Sequence, residues 1–78
     1  MRYYFHLRES DAYVVDDEGL ELAELDAVRS AALAGARSLI ASEALLGKLP
    51  LRAVIEVEDE NGNRVIELPF REAVLLDG

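Results

Sequence analysis

The chain opens on a strict alternation in which Tyr3, Phe5 and Leu7 are interleaved with Arg2, Tyr4, His6 and Arg8. A period of two predicts a strand with one buried face. Polar Glu9-Ser10-Asp11 follows, and Ala12-Tyr13-Val14-Val15, short, aromatic and β-branched, predicts the return strand of a hairpin. Asp16-Asp17-Glu18-Gly19 then breaks the pattern, and Leu20-Glu21-Leu22 either extends the second strand or forms an irregular approach to a helix.

From about Leu25 to Leu46 the residues are mostly Ala, Leu, Glu, Arg and Ser, with no Pro and one Gly, which predicts a helix of about six turns. Leu25, Val28, Ala32, Ala36, Leu39 and Ile40 fall on one stripe of it. Asp26 serves as its amino-terminal cap or as a first-turn acid, and Gly47-Lys48-Leu49-Pro50 is the stop. The small residues Ala32, Gly35 and Ala36 let the middle of the helix approach a sheet closely.

In the last third, Asn61-Gly62 stands between two alternating runs and predicts a two-residue type I′ hairpin turn. With Glu60 opposite Asn63, Val57 faces Ile66, Ile55 faces Leu68 and Ala53 faces Phe70, three apolar pairs on one side. A three-residue loop would set Val57 opposite Val65 and scramble that side. The same register puts Glu56 across from Glu67, a like-charge pair that calls for a neighbouring cation or solvent. Pro69 cannot donate to a ladder, so its strand ends there or lies on a sheet edge. Phe70–Leu76 is expected to close the domain as a turn or short helix that packs Phe70, Val74 and Leu75 inward.

The order hairpin, helix, hairpin predicts a single α+β domain over residues 1–78. It is a ββαββ chain whose four-stranded antiparallel sheet carries one long amphipathic helix across one face. Phe5, Leu7, Ile55, Val57, Ile66, Leu68 and Phe70 are its expected core, together with the helix stripe.

Charge narrows the choice of partners. Sixteen acidic and eight basic side chains give a net charge of −8, which repels phosphate and argues against direct nucleic-acid binding. It is compatible with a basic protein partner. The absence of cysteine removes disulfides and thiolate zinc sites and points to a reducing compartment. Met1-Arg2 leads straight into the first strand, without an apolar signal segment, and no run is long enough to span a membrane, so the expectation is a cytoplasmic protein without membrane contact.

Little in the chain suggests catalysis. His6 is the sole histidine, and Ser10, Ser30, Ser38 and Ser42 sit in no nucleophile motif. Aligning Asp59-Glu60-Asn61-Gly62 with a calcium loop puts Val57 where the first ligand must stand, and Asp16-Asp17-Glu18 reads as a solvated loop. No metal, cofactor or catalytic residue is assigned. What stands out is the outer sheet face, where Tyr4, His6 and Arg8 share one strand and Glu56 and Glu67 lie across from them. These five form the candidate interaction surface of a non-enzymatic binding or regulatory module that pairs with itself or with another protein, through this face or an exposed sheet edge. The alternative is an acidic, antitoxin-like or nucleic-acid-mimicking inhibitor of a basic partner.

Four segments, Arg2-Tyr3-Tyr4-Phe5-His6-Leu7, Asp17-Glu18-Gly19, Val57-Glu58-Asp59-Glu60-Asn61-Gly62 and Pro69-Phe70-Arg71-Glu72-Ala73-Val74, together resemble a family of short bacterial proteins known as domain of unknown function 6894. The resemblance spans nearly the whole chain and implies a shared fold, with no reaction or cofactor attached. Ser10-Asp11 stands where that family often has an Asp-Gly turn. The first half is also similar to HicB-type antitoxins, with a Tyr-rich strand and an acidic, Gly-containing segment before an Ala-rich helix.

Overall fold

The alternation at the amino terminus forms a seven-residue strand, β1 (Arg2–Arg8), in a computed structural model that describes residues 1–75. Two short strands, β2 (Tyr13–Val14) and β3 (Leu20–Glu21), precede the helix α1 (Leu25–Leu45). The hairpin β4 (Val54–Asp59) and β5 (Arg64–Pro69) follows, and a 3-10 turn at Phe70–Glu72 comes last.

The strand order is β2-β1-β4-β5, antiparallel throughout, with β3 joining β1 beside β2. The sheet thus has five strands where four were expected. Leu20–Glu21 neither extends β2 nor stays irregular, because it returns to pair with Tyr3 and Arg2 at the other end of β1. Gly19 makes this return possible. Its φ of +72° is in the left-handed region, and a Cβ there would lie 2.8 Å from the Tyr3 carbonyl oxygen.

α1 lies across one face of the sheet. Val28, Ala32, Ala36 and Ile40 are buried along a line that repeats every four residues. Leu25 and Leu39, expected on the same stripe, are exposed instead. Leu25 occupies the first turn and Leu39 is rotated by about 100° from Ile40, so neither falls on the line that meets the sheet. Facing the helix are Tyr3, Ile55, Val57 and Leu68, with Phe5, Leu7 and Ile66 partly buried beside them. Val28, Val57, Leu68 and Phe70 are fully enclosed, and burial of each such side chain stabilises the fold by about 1.5–3 kcal/mol.

The helix ends differ in quality. Glu24 holds the N-cap position without a side-chain cap, and Asp26 is a first-turn acid. At the other end the Gly47 N–H donates to the Ala44 carbonyl and the Lys48 N–H to that of Glu43. With Gly47 at φ +82°, this is a Schellman motif.

The β4–β5 hairpin has the expected core register by an unexpected route. Val57 faces Ile66, Glu56 faces Glu67 and Ile55 faces Leu68. Phe70 donates its N–H to the Ala53 carbonyl at 2.8 Å. The turn, however, is not the two-residue type. The Asp59 N–H donates to the Asn63 carbonyl, the Gly62 N–H to the Asp59 carbonyl, and only Gly62 has a positive φ. The loop is therefore Glu60-Asn61-Gly62, with Asp59 rather than Glu60 opposite Asn63. Asp59 causes the change, since its Oδ1 accepts the N–H groups of both Asn61 and Asn63. A register shift between Val57 and Glu58 leaves Val65 as the extra residue of a bulge, and this restores the apolar pairs that a three-residue loop would otherwise have scrambled.

Pro69 ends β5 on the outer edge of the sheet, so both readings of that residue hold together. Beyond it, Phe70 and Ala73 are buried and Val74 is half-buried. Arg37 ties the helix to this segment by donating from Nε to the Ala73 carbonyl at 2.7 Å. Leu75, expected inward, is 90% exposed because the backbone leaves the core after Ala73. Leu76 lies outside the described residues.

Candidate protein-contact face

With α1 on one side, alternation puts Tyr4, His6 and Arg8 of β1 on the opposite, uncovered side of the sheet. The register sets these residues in rows. Tyr4 is level with Glu58, and Glu58 with Arg64. His6 is level with Glu56, and Glu56 with Glu67, while Arg8 is level with Val54 and Tyr13.

Glu56 is the centre of the face. Although it points away from the apolar core, it is only 3% exposed. Arg8 donates to it through two nitrogens, at 2.7 Å to Oε2 and 3.2 Å to Oε1, and the Arg64 guanidinium approaches Oε1 as well, at 3.1 Å. Hydrogen bonding from Arg8 holds the Glu56 carboxyl below the usual carboxylate range, burial opposes this, and the charges of Arg64 and Arg8 reinforce it. Arg64 also reaches Glu67 at 3.4 Å, so a single cation bridges the like-charge pair. Above this cluster the Arg8 guanidinium stacks on the Tyr13 ring, 4.9 Å from its centroid. Desolvation pushes the Tyr13 hydroxyl up, and the Glu56 charge adds to it.

His6 is buried, at 6% exposure, where a surface or partly covered histidine was expected. Its Nδ1 accepts the Asp16 N–H at 3.0 Å, and its Nε2 lies 2.9 Å from Glu58 Oε1. Because Nδ1 is an acceptor, the proton is assigned to Nε2, which donates to Glu58. Both ring nitrogens are thereby committed to holding the fold.

Of the five residues expected on this surface, Arg8, Glu56 and Glu67 are linked through Arg64, and His6 stands in the same row beside Glu56. Tyr4 is one row away, half-buried next to Gly19. Four participants were not foreseen: Asp16, Tyr13, Glu58 and Arg64. Arg64 was hidden by the turn, because a two-residue loop places it opposite Asp59 on the helix side, and only the Val65 bulge brings it out. The opposed Glu56 and Glu67 were the available signal, since that pair needs a cation within reach.

Among the described residues no group of three or more His, Asp or Glu side chains is arranged to hold a metal ion. A shallow groove of about 340 Å³, lined by Glu9, Ser10, Leu49, Pro50, Leu51, Arg52 and Ala53, lies at the end of the sheet where β1 finishes and β4 begins.

The model of the family described as a domain of unknown function (DUF6894) matches residues 2–71. The chain belongs to that family. The match takes in every strand, the helix and all the residues of the uncovered face. No curated protein and no solved structure matches the chain. Membership in DUF6894 covers nearly the whole chain and attaches no role to it.

Proposed function

We propose that this chain is a non-enzymatic protein-interaction module whose contact surface is the uncovered sheet face around Tyr4, Arg8, Tyr13, Arg64 and Glu67. The observation that carries the reading is the pair of arginines fixed on Glu56. Their guanidinium groups are held in place before any partner arrives, so little side-chain entropy remains to be lost on binding. Arginine and tyrosine are also the residue types that dominate interface energetics.

Charge supports the same surface. Arg8 and Arg64 offset Glu56 and Glu67 at the centre of this face, within a chain of net charge −8. A locally neutral face is the part of an acidic protein that approaches another protein with least repulsion. The sheet edges favour it less. Since Phe70 donates to Ala53, alternation turns the Glu67 and Pro69 positions outward, and Pro69 has no N–H to offer. The opposite edge is broken between β2 and β3.

The test compares Tyr13→Ala/Glu67→Ala with the helix-face control Arg29→Ala, by light scattering for self-association and by capture of native-cell partners for association with other proteins. Loss of association in the double variant alone supports the reading. A monomer whose partner capture is the same in both variants removes it.

A second reading, an acidic inhibitor that occupies a basic surface, draws on the crowding of acids at one end of the sheet. Glu18, Glu21 and Glu60 gather around Arg2 there, with Asp59 and Glu58 beside them. Binding that weakens steeply with salt, and that nucleic acid competes away, would favour this reading over the first.

A further inference from the structure

Between β2 and β3 the chain leaves the middle of β1 without a partner strand on the edge away from β4, and one residue fills the gap. The Asp16 N–H donates to His6 Nδ1 at 3.0 Å, and Asp16 Oδ2 accepts the Phe5 N–H at 3.0 Å. Asp16 Oδ1 accepts the N–H groups of Glu18 and Gly19, both at 3.1 Å. Residues 15–19 therefore form a strap that replaces strand pairing with side-chain bonds. Its attachments to β1 are the Phe5 N–H, the imidazole of His6 and the Arg2 guanidinium, which donates to the Glu18 carbonyl at 2.6 Å.

We propose that His6 is a proton-operated latch for this strap. As placed, the ring accepts at Nδ1 and donates at Nε2. A proton added to Nδ1 would point an N–H at the Asp16 N–H, and rotating the ring to avoid this would break the bond to Glu58. Imidazolium and the docked strap exclude one another in this geometry. The groups facing the ring are Glu58 and Glu56 from β4, Tyr13 from β2 and Asp16 from the strap, with Arg8 on the same strand but bonded to Glu56. Protonation therefore breaks the bond from the Asp16 N–H to the ring and weakens the strap's hold on the edge of β1, which is left to the Asp16 carboxylate at Phe5 and to Arg2 at the Glu18 carbonyl. Tyr13, whose ring centroid is 5.8 Å from that of His6, lies directly before the strap. If the contact-face reading holds, acidification remodels one side of that face. The latch itself does not depend on that reading.

The experiment is NMR of the intact protein as pH is lowered from about 8 to about 5, the interval in which imidazoles change charge. Ring nitrogen shifts report the state of His6, and amide exchange reports the strap. The expected result is an Nε2–H tautomer at the upper end. As the ring takes up a proton, the protection factor of Asp16, taken against the unfolded-chain rate at each pH, should fall about tenfold or more, that of Phe5 should fall with it, and Val57 and Leu68 should stay protected. His6→Asn, which keeps a side-chain acceptor near the position of Nδ1 without titrating, should hold the strap closed throughout. Unchanged protection at Asp16 while the ring titrates would overturn the proposal, as would a ring that never protonates over this interval. Persistence of the transition in His6→Asn would overturn it too, by assigning the proton to Asp16 or Glu58.

Discussion

Arg64 stands opposite Glu58 across the β4–β5 hairpin, and that position brings its guanidinium to 3.1 Å from Glu56, the most deeply buried charge on the uncovered face. Glu56 is ionised there because two arginines hold it. Removing a partner from such a carboxylate strands a buried charge, whereas neutralising the carboxylate itself leaves two arginines free to reach solvent. Arg8→Ala should therefore lower the urea midpoint more than Glu56→Gln does, and Glu56→Gln should stay within about 1 kcal/mol of the parent. Equal losses would mean that solvent, rather than the arginines, compensates Glu56.

The position of Arg64 also marks the limit of what the sequence made legible. Apolar alternation in β4 and β5 was enough to pair Val57 with Ile66 and Ile55 with Leu68, because a one-residue slip would turn a whole face to solvent. The loop was not readable in the same way. Asn61-Gly62 favours a two-residue turn, but Asp59 bonds locally to two loop amides and wins, and the bulge at Val65 absorbs the difference. The outer face followed the same division. Alternation placed His6 and Arg8 correctly, but the Asp16 bonds to His6 and Phe5 cross 10 and 11 residues of chain and leave no periodic trace.

Stability should fall on the acid side through carboxylates that the fold keeps ionised. Burial works to raise the Asp16 carboxyl, but bonds from the Phe5, Gly19 and Glu18 N–H groups and the nearby His6 outweigh it and hold the group below its ordinary value. Backbone bonding from Asn63 lowers Asp59 against a smaller desolvation effect, and bonding from Arg8 lowers Glu56. A depressed folded-state pKa contributes stability that is fully present above the unfolded value, about 4 for these side chains. That contribution is lost as pH drops through the lower folded value. Urea midpoints should accordingly show little loss from Asp59 and Glu56 down to about pH 5 and decline progressively below about pH 4, the share of Asp16 depending also on whether the His6 latch has already loosened its strap. A midpoint that rises on acidification from pH 5 to pH 3 would contradict the assignment.

Two glycines should respond to alanine with opposite signs. Gly35 is inside α1, where a Cβ would meet only the Ile55 Cδ1 atom at 3.8 Å, an ordinary contact. The close approach expected of this position thus leaves room for a methyl group. Gly35→Ala should stabilise the protein by about 0.5–1 kcal/mol through helix propensity and reduced freedom of the unfolded chain. Gly19 has a positive φ and would press a Cβ to 2.8 Å from the Tyr3 carbonyl. Gly19→Ala should cost more than about 1 kcal/mol and loosen β3 from β1. Urea titration of both variants tests the contrast, and a destabilised Gly35→Ala would show that the helix packs more tightly than 3.8 Å implies.

The Val65 bulge gives a test of register that point substitutions cannot provide. Val65 is the unpaired residue between the Glu58–Arg64 and Val57–Ile66 pairs, so deleting it joins two stretches that are each already in register. The side chains of Ile66 and Arg64 then alternate across a regular ladder, and the Arg64–Glu56 ion pair can persist. Deleting Glu67 instead shifts Leu68 and Phe70 by one residue against Ile55 and Ala53 and turns two fully enclosed side chains toward solvent. The first deletion removes only the partial burial of Val65 against the core and should cost no more than about 2 kcal/mol. The second should cost more than about 3 kcal/mol, from the lost burial of two large side chains. Urea unfolding gives the energies, and amide spectra show whether β4 retains its partners. If the Val65 deletion unfolds the protein, the bulge is a required bend of the sheet rather than a spare residue absorbing the length of the loop.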